Sequence, residues 1–234
     1  TMGVAAIPLG AAVWQFVNSG TPQLKRGQWR SIMPTRPKIV LSDDAQSVAQ
    51  SRNAKSIEVN AQKLTLVELG MPVVGQFSVR AELQQNTASA AAGVYFRYGI
   101  GRAEDDTKVY KFQAIQLVPD ADAAMCRLQW SSFLVHQTDH NLNIRRIALA
   151  NNALAVEVGD NQPHRLEIMV GHDRLPEVHL DGQSVPSWIL LKDGYFHINM
   201  NKAQVPNAYA GRVGLLTESG NSVFRDAELS YYSP

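Results

Sequence analysis

From about residue 57 onward, hydrophobic and polar positions alternate with a period of two, in runs rich in Val, Ile, Phe and Tyr separated by clusters of Gly, Asn, Asp and Pro. This is the pattern of strands with one buried face, and recurrence at helical spacing is almost absent. It predicts strands at Ser56–Val59, Lys63–Leu69, Gln76–Leu83, Gly93–Tyr98, Lys108–Val118, Cys126–His136, Asn143–Leu149, Leu154–Val158 and His164–Val170. Glu177–Leu180, Gln183–Val185, Phe196–Met200, Arg212–Glu218 and Val223–Tyr232 follow. So many strands without intervening helices predict an all-β fold, an antiparallel sandwich or barrel. Asp181-Gly182 between two extended runs supplies the positive φ angles of a type I′ turn and marks a hairpin. Residues 84–92, 99–107 and 119–125 read as loops. The last run should close the sandwich, with Phe224 or Leu229 buried.

The N-terminal part differs. Residues 3–17 carry no charge, and Lys25, Arg26, Arg30, Arg36 and Lys38 then give residues 1–40 a charge of +5 with no acid before Asp43. Two readings stand for residues 3–17. One is a membrane or signal segment, shorter than the roughly 20 apolar residues that span a bilayer, through which the chain would be membrane-attached. The other is a short buried element broken at Pro8 and Gly10. As a membrane helix, its basic flank would favour a cytoplasmic side. Residues 18–53, irregular in pattern and containing Pro22, Pro34 and Pro37, read as an arm over the sandwich. The expected division is therefore 1–55, an apolar segment plus basic arm, and 56–234, the β-sandwich.

The chain has 234 residues, 45% hydrophobic and 18% charged, which is one large domain of ordinary globular composition. A net charge of +1 argues against nucleic acid as a partner, despite interleaved aromatics and arginines. The lone Cys126 cannot form an intrachain disulfide, reads as a buried structural thiol, and makes a structural zinc site improbable. No cofactor motif is found: Gly99-Ile100-Gly101 lacks the third glycine and the strand-to-helix context of a phosphate loop. No G-x-S-x-G elbow occurs either, and Ser131 and Ser132 sit within a strand.

Several segments together resemble a known family. Gln76–Glu82 (QFSVRAE) followed by Gly93–Arg97 (GVYFR), His164–Ile168 (HRLEI) with Val178–Gly182 (VHLDG), and Gly211–Leu215 (GRVGL) with Val223–Leu229 (VFRDAEL) occur in an order similar to that of the concanavalin A-like lectin and glucanase sandwiches. The likeness is closest to bacterial modules named after 3-keto-disaccharide hydrolases and covers roughly residues 56–232. It implies an antiparallel jelly-roll β-sandwich of two packed sheets, with carbohydrate bound on a concave face or along its rim. It further implies a glycan-binding or sensing module, such as the ligand-binding part of a membrane-attached receptor kinase, lying outside the cytoplasm or in the cell envelope. The alternative is a glycoside hydrolase of the 3-keto-disaccharide type. The E-x-D-x-x-E strand of laminarinase-type relatives is absent.

Strand parity nominates a site. Phe77, Val79, Ala81 and Leu83 share one side of their strand, leaving Arg80 and Glu82 on the other; Tyr95 and Arg97 lie opposite Val94, Phe96 and Tyr98. If the two strands are neighbours, Arg80, Glu82, Tyr95 and Arg97 line one face: a ring to stack on a sugar, with charged groups to hydrogen-bond its hydroxyls. The alternative is a solvated face with cross-strand Glu–Arg pairs. Hydrolysis normally needs two carboxylates about 5 to 9.5 Å apart, for which only Glu82 and Glu167 are candidates. Trp130 and His136 share a parity with Leu128 and Leu134, so Trp130 reads as core. His136, Asp139, His140 and His197 match no metal-ligand spacing, and no metal is expected. Glu104, Asp105 and Asp106 read as a solvated loop tip, without calcium-loop spacing.

Overall fold

The computed structural model describes residues 25–233 apart from 44–47, 52–54, 71–72, 74, 121–124, 139–140, 158–161, 172–174, 186–187 and 192–210. Residues 3–17, the expected strand Phe196–Met200, and Asp139, His140 and His197 lie outside these.

The described chain is all β. Its strands are β1 (Lys25–Arg26), β2 (Arg30–Ser31), β3 (Lys38–Ser42), β4 (Val48–Gln50), β5 (Ser56–Glu68), β6 (Phe77–Gln85), β7 (Ala91–Arg102), β8 (Lys108–Asp120), β9 (Met125–Thr138) and β10 (Asn141–Glu157). Then come β11 (His164–Val170), β12 (Glu177–Leu180), β13 (Gln183–Ser184), β14 (Ile189–Leu190) and β15 (Arg212–Ser233). Every strand pairing is antiparallel.

Hydrogen bonding runs continuously from strand to strand, but two long strands carry it from one layer to another. The first half of β15 pairs with β7, which continues through β8, β9, β10 and β14. Its second half pairs with β6, which continues through β11, β12 and β13. β5 accompanies β15 along most of its length. The layer containing β7 to β10 is called sheet A below, and the layer containing β6 and β11 to β13 sheet B. Their facing sides form one core, in which Val79, Leu83, Leu166 and Val178 of sheet B meet Val94, Ile115, Leu128 and Trp130 of sheet A. This is sheet-on-sheet packing, driven by apolar area removed from water on both inner faces.

Several expected pairs of strands are single long ones. Lys63–Leu69 continues from Ser56–Val59 as β5, Leu154–Val158 from Asn143–Leu149 as β10, and Val223–Tyr232 from Arg212–Glu218 as β15. The polar interruptions between these runs lie where the register shifts. In β15 the register shifts at Glu218/Gly220 and again at Arg225/Glu228. Ser219 (φ 53°) and Asp226 (φ 47°) stand there in the left-handed region, the signature of β-bulges. Each bulge exchanges the faces, so Phe224 and Leu229, of opposite parity, are both buried. The irregular arm contributes β1 and β2, hydrogen-bonded to the end of β15, and β3 and β4, hydrogen-bonded to β5.

The Asp181-Gly182 turn forms as expected, with φ of 52° and 79°. The Asp181 carboxylate also accepts from the Arg165 amide at 2.7 Å and lies 2.8 Å from His164 Nδ1, fastening the hairpin to β11.

Candidate functional site in the trough of sheet A

The face of sheet A turned away from sheet B is concave. Four strand spacings of about 4.8 Å would place β15 about 19 Å from β10 in a flat sheet. Instead Arg146 Nη1 on β10 donates to Glu218 Oε2 on β15 at 3.1 Å. Lys63 Nζ on β5 likewise reaches Asn141 Oδ1 on β10 at 2.7 Å. Sheet A therefore curls into a trough whose sides touch.

Register places the side chains inside it. Leu66, Leu216, Gly93, Gln116, Gln129 and Asn151 form one row across β5, β15, β7, β8, β9 and β10. Gly214, Tyr95, Ala114, Ser131 and Ala148 form another. One end is filled: Tyr95, Tyr98, Tyr110, Phe112 and Phe133 pack with Leu41, Leu64, Leu66 and Leu142. Phe112 stacks on Phe133 at 4.7 Å, and Tyr95 meets Phe112 edge-on at 5.9 Å. Residue 214 must be glycine, because a Cβ there would come within 2.5 Å of the Tyr95 ring.

The middle is polar. Glu218 Oε2 accepts from Gln116 Nε2 at 2.8 Å as well as from Arg146, and Gln129 Nε2 donates to Asn151 Oδ1 at 2.9 Å. Beside these satisfied groups stand buried ones without a partner: Gln116 Oε1, Gln129 Oε1, Ser131 Oγ and Arg127 Nε. A cleft of about 710 Å³ is lined by Lys63, Asn141–Ile144, Arg146, Glu218 and Ser219. A smaller one of about 260 Å³, beside Ser89, Ala91, Val118 and Pro119, shares Arg146, Glu218 and Ser219 with it. The Arg146–Glu218 pair thus stands between two compartments of one groove.

Titration is shifted chiefly in the filled end. Burial, then the neighbouring Tyr98 and Glu68, pushes the Tyr95 hydroxyl well above its ordinary 10.0. Burial, then Tyr110, raises Tyr98, and burial raises Tyr110. The Tyr95 and Tyr98 hydroxyls are without hydrogen-bond partners, and burial disfavours their charged form. Outside the trough, the Thr107 hydroxyl and amide lower the Asp105 carboxyl, consistent with an ordered loop tip.

The residues nominated from sequence do not converge. Arg80 and Glu82 lie on the outer face of sheet B, where the register sets Glu167, Arg80 and Glu228 in one row and Arg165, Glu82 and Arg225 in the next. Arg80 Nε meets Glu228 at 2.5 Å, Arg225 meets Glu82 at 3.3 Å, and the Arg80 guanidinium lies 4.1 Å above the Trp29 ring. Glu167 pairs in register with Arg80 and belongs to the same charged lattice. Tyr95 is on sheet A, wholly buried in the trough, and so presents no stacking surface. Arg97 sits at a β7 bulge with φ 57°, its Nη1 donating to Gln113 Oε1 at 2.9 Å. β6 and β7 are separated by β15, so the assumption that they were neighbours fails. Trp130 is in the inter-sheet core, as its parity indicated, and Cys126 is a buried thiol donating to Gln85 Oε1 at 3.3 Å.

Gln116, Gln129, Ser131, Arg127, Arg146, Glu218 and Lys63 were not nominated. A signal was present: Gln113, Gln116 and Gln129 interrupt the apolar runs Phe112–Val118 and Leu128–Trp130. An amide within such a run is an expensive choice unless something hydrogen-bonds to it.

Neither a protein-family model nor any curated protein matches the chain. Solved structures do. A Bacillus subtilis protein of unknown function with a galectin-like fold is similar over 89% of this chain and 98% of its own, at 10% identity and a TM-score of 0.55. The kappa-carrageenase of Pseudoalteromonas carrageenovora, in complex with an oligotetrasaccharide of kappa-carrageenan, is similar over 92% and 98%, at 8% identity and a TM-score of 0.53. Beta-agarase A of Zobellia galactanivorans is similar over 88% and 83%, at 9% identity and a TM-score of 0.51. At such identities the likeness is one of fold, and the fold is an antiparallel jelly-roll sandwich.

Proposed function

We propose that this chain is a glycan-binding module that holds its ligand in the trough of sheet A. The observation that carries the reading is the set of buried, unpartnered polar atoms that the strand register places on the trough face: Gln116 Oε1, Gln129 Oε1, Ser131 Oγ and Arg127 Nε. Each buried polar group left unmade costs about 1–3 kcal/mol. Saccharide hydroxyls, each both donor and acceptor, are suited to satisfying a mixed set of amide, hydroxyl and guanidinium groups. The larger cleft, at about 710 Å³, falls within the range of small-ligand sites. The fold supports the same class, since structural neighbours include a carrageenase and an agarase. The motif order resembling the 3-keto-disaccharide hydrolase modules supports it as well. A location outside the cytoplasm is part of the same proposal.

Binding is favoured over hydrolysis by the spacing of carboxylates. Glu218 stands in the groove, while Glu68, facing the same trough, pairs in register with Gly214. Gly214 lies four residues from Glu218, about 13 Å along the strand. Glu68 is moreover tied to Arg212 and Lys38. Those backbone positions are spaced more widely than the carboxyl groups of either stereochemical course of glycoside hydrolysis.

The test is a glycan array combined with a reducing-sugar release assay on the same panel. We expect at least one oligosaccharide to bind the wild type without being cleaved, Ser131→Ala to weaken it while leaving the unfolding midpoint unchanged or raised, and Gln129→Leu to weaken it while lowering the midpoint through loss of the hydrogen bond to Asn151. A panel with no binder, or variants that bind as the wild type does, would overturn the reading; cleavage would replace it with the hydrolase.

A further inference from the structure

We infer that the Arg146–Glu218 pair is a displaceable crossbar, and that the ligand displacing it is an acidic saccharide whose carboxylate or sulfate takes the place of Glu218 on Arg146. The inference rests on the glycan-binding reading above and assigns its ligand class.

Three observations carry it. First, the pair is the shared wall of the two compartments, so parting it joins them into one channel along the trough. Second, its partners are held unequally. The Glu218 carboxylate has a second donor, Gln116 Nε2 at 2.8 Å, and its side chain is 13% exposed, whereas that of Arg146 is 39% exposed. When the pair parts, Glu218 keeps a hydrogen bond to the floor, and the guanidinium turns to whatever enters. Third, the groove carries excess positive charge. Lys63 and Arg146 line it together with the single carboxylate of Glu218, and the Lys63 ammonium is hydrogen-bonded to the neutral amide of Asn141. Among the described residues, no carboxylate forms an ion pair with Lys63.

A neutral saccharide would gain only hydrogen bonds from the ammonium and would have to part an ion pair without replacing its charge. An anionic one restores to Arg146 the bidentate partner that a guanidinium fork favours and gives Lys63 a counter-charge. Glu218 then acts as a competitor for the ligand's anion. Its removal should strengthen binding, the opposite of what a direct sugar contact predicts.

The experiment measures, by titration calorimetry at low salt on the full chain, the binding of oligogalacturonate, a sulfated galacto-oligosaccharide and a neutral galacto-oligosaccharide of equal length. The expected result is at least tenfold tighter binding of one acidic probe than of the neutral one. Glu218→Gln should tighten the acidic probe about tenfold, and Arg146→Gln and Lys63→Ala should each weaken it about tenfold. Lys63 is exposed, so its substitution reads out binding without risk to the fold. The preferred acidic probe also tells a carboxylate from a sulfate ligand. Preference for the neutral probe, or loss of binding in Glu218→Gln, would overturn this inference and leave the glycan-binding reading standing. Binding of none of the three probes overturns the inference, and the glycan-binding reading falls with it only if the wider array also yields no binder.

Discussion

Two polar faces of this sandwich make opposite use of their charge. On the outer face of sheet B, carboxylates and guanidiniums alternate across β11, β6 and β15 so that each meets an opposite charge: Glu228 takes Arg80 at 2.5 Å and Arg165 at 3.4 Å, and Glu82 takes Arg225 at 3.3 Å. In the trough of sheet A there are fewer charges, but buried amide, hydroxyl and guanidinium atoms are left without partners. On the first face the charged groups satisfy one another; on the second the fold has buried a few polar groups without satisfying them. Unmet hydrogen-bonding capacity, more than polarity, distinguishes the two.

The comparison depends on β15, the strand both sheets share. Ending the chain at Gly220 removes the half that pairs with β6 and deletes Phe224, Ala227 and Leu229 from the core. The expected outcome is loss of any cooperative thermal transition, because burial of several apolar side chains exceeds the usual stability margin. In the full chain, Phe224→Ala should cost about 3–5 kcal/mol in denaturant unfolding.

Raising the pH acts on the filled end of the trough and spares the charged lattice of sheet B. Tyr95, Tyr98 and Tyr110 have raised pKa values in the folded chain. The unfolded chain releases those protons near its ordinary tyrosine pKa of about 10 while the folded chain retains them. Their contribution is therefore whole below about pH 10 and is lost above it, at up to about 1.4 kcal/mol per pH unit per tyrosine. Unfolding midpoints measured from about pH 8 to 12, with tyrosinate absorbance followed in parallel, check both the onset and the group responsible.

Smaller effects separate the two faces directly. Ser131→Ala should lower the affinity of a bound oligosaccharide by about 1–2 kcal/mol and leave stability unchanged or slightly raised, because an unpartnered hydroxyl is removed. Arg80→Ala should do the reverse: about 1 kcal/mol of stability lost with its Glu228 and Trp29 contacts, and ligand affinity equal to wild type. Glu82→Gln should change stability by less than about 0.5 kcal/mol, since its pair with Arg225 is partly exposed, and should not change binding. If Glu82→Gln or Arg80→Ala weakened the ligand, the outer face of sheet B would be the site and the trough only a core defect.

Much of the fold was legible from local pattern. His164–Val170 and Glu177–Leu180 form over the expected residues, because an alternating run bounded by turn residues has one stable way to bury its apolar side. Asp181-Gly182 specified its own turn through backbone sterics alone. The near-continuous apolar runs of β7, β8 and β9 were harder to interpret. Alternation places Tyr95 opposite Val94 and Phe96, but it does not tell whether the second face meets solvent or, as here, another packed layer.

The sequence by itself determined that this chain is antiparallel all-β, that the inward parity of most strands builds a common core, and that Trp130 and one of Phe224 and Leu229 belong inside. Only the tertiary structure decided which polar residues face one another. β15 comes between β6 and β7, its bulges at Ser219 and Asp226 exchange the faces midway, and the curl of sheet A carries Arg146 across to Glu218. Period-two alternation encodes only the side of a strand on which a residue lies. The identity of the neighbouring strand, the parity beyond a bulge and the curvature of a sheet are set by contacts between segments as far apart in the chain as β7 and β15, and a one-dimensional pattern holds no record of them.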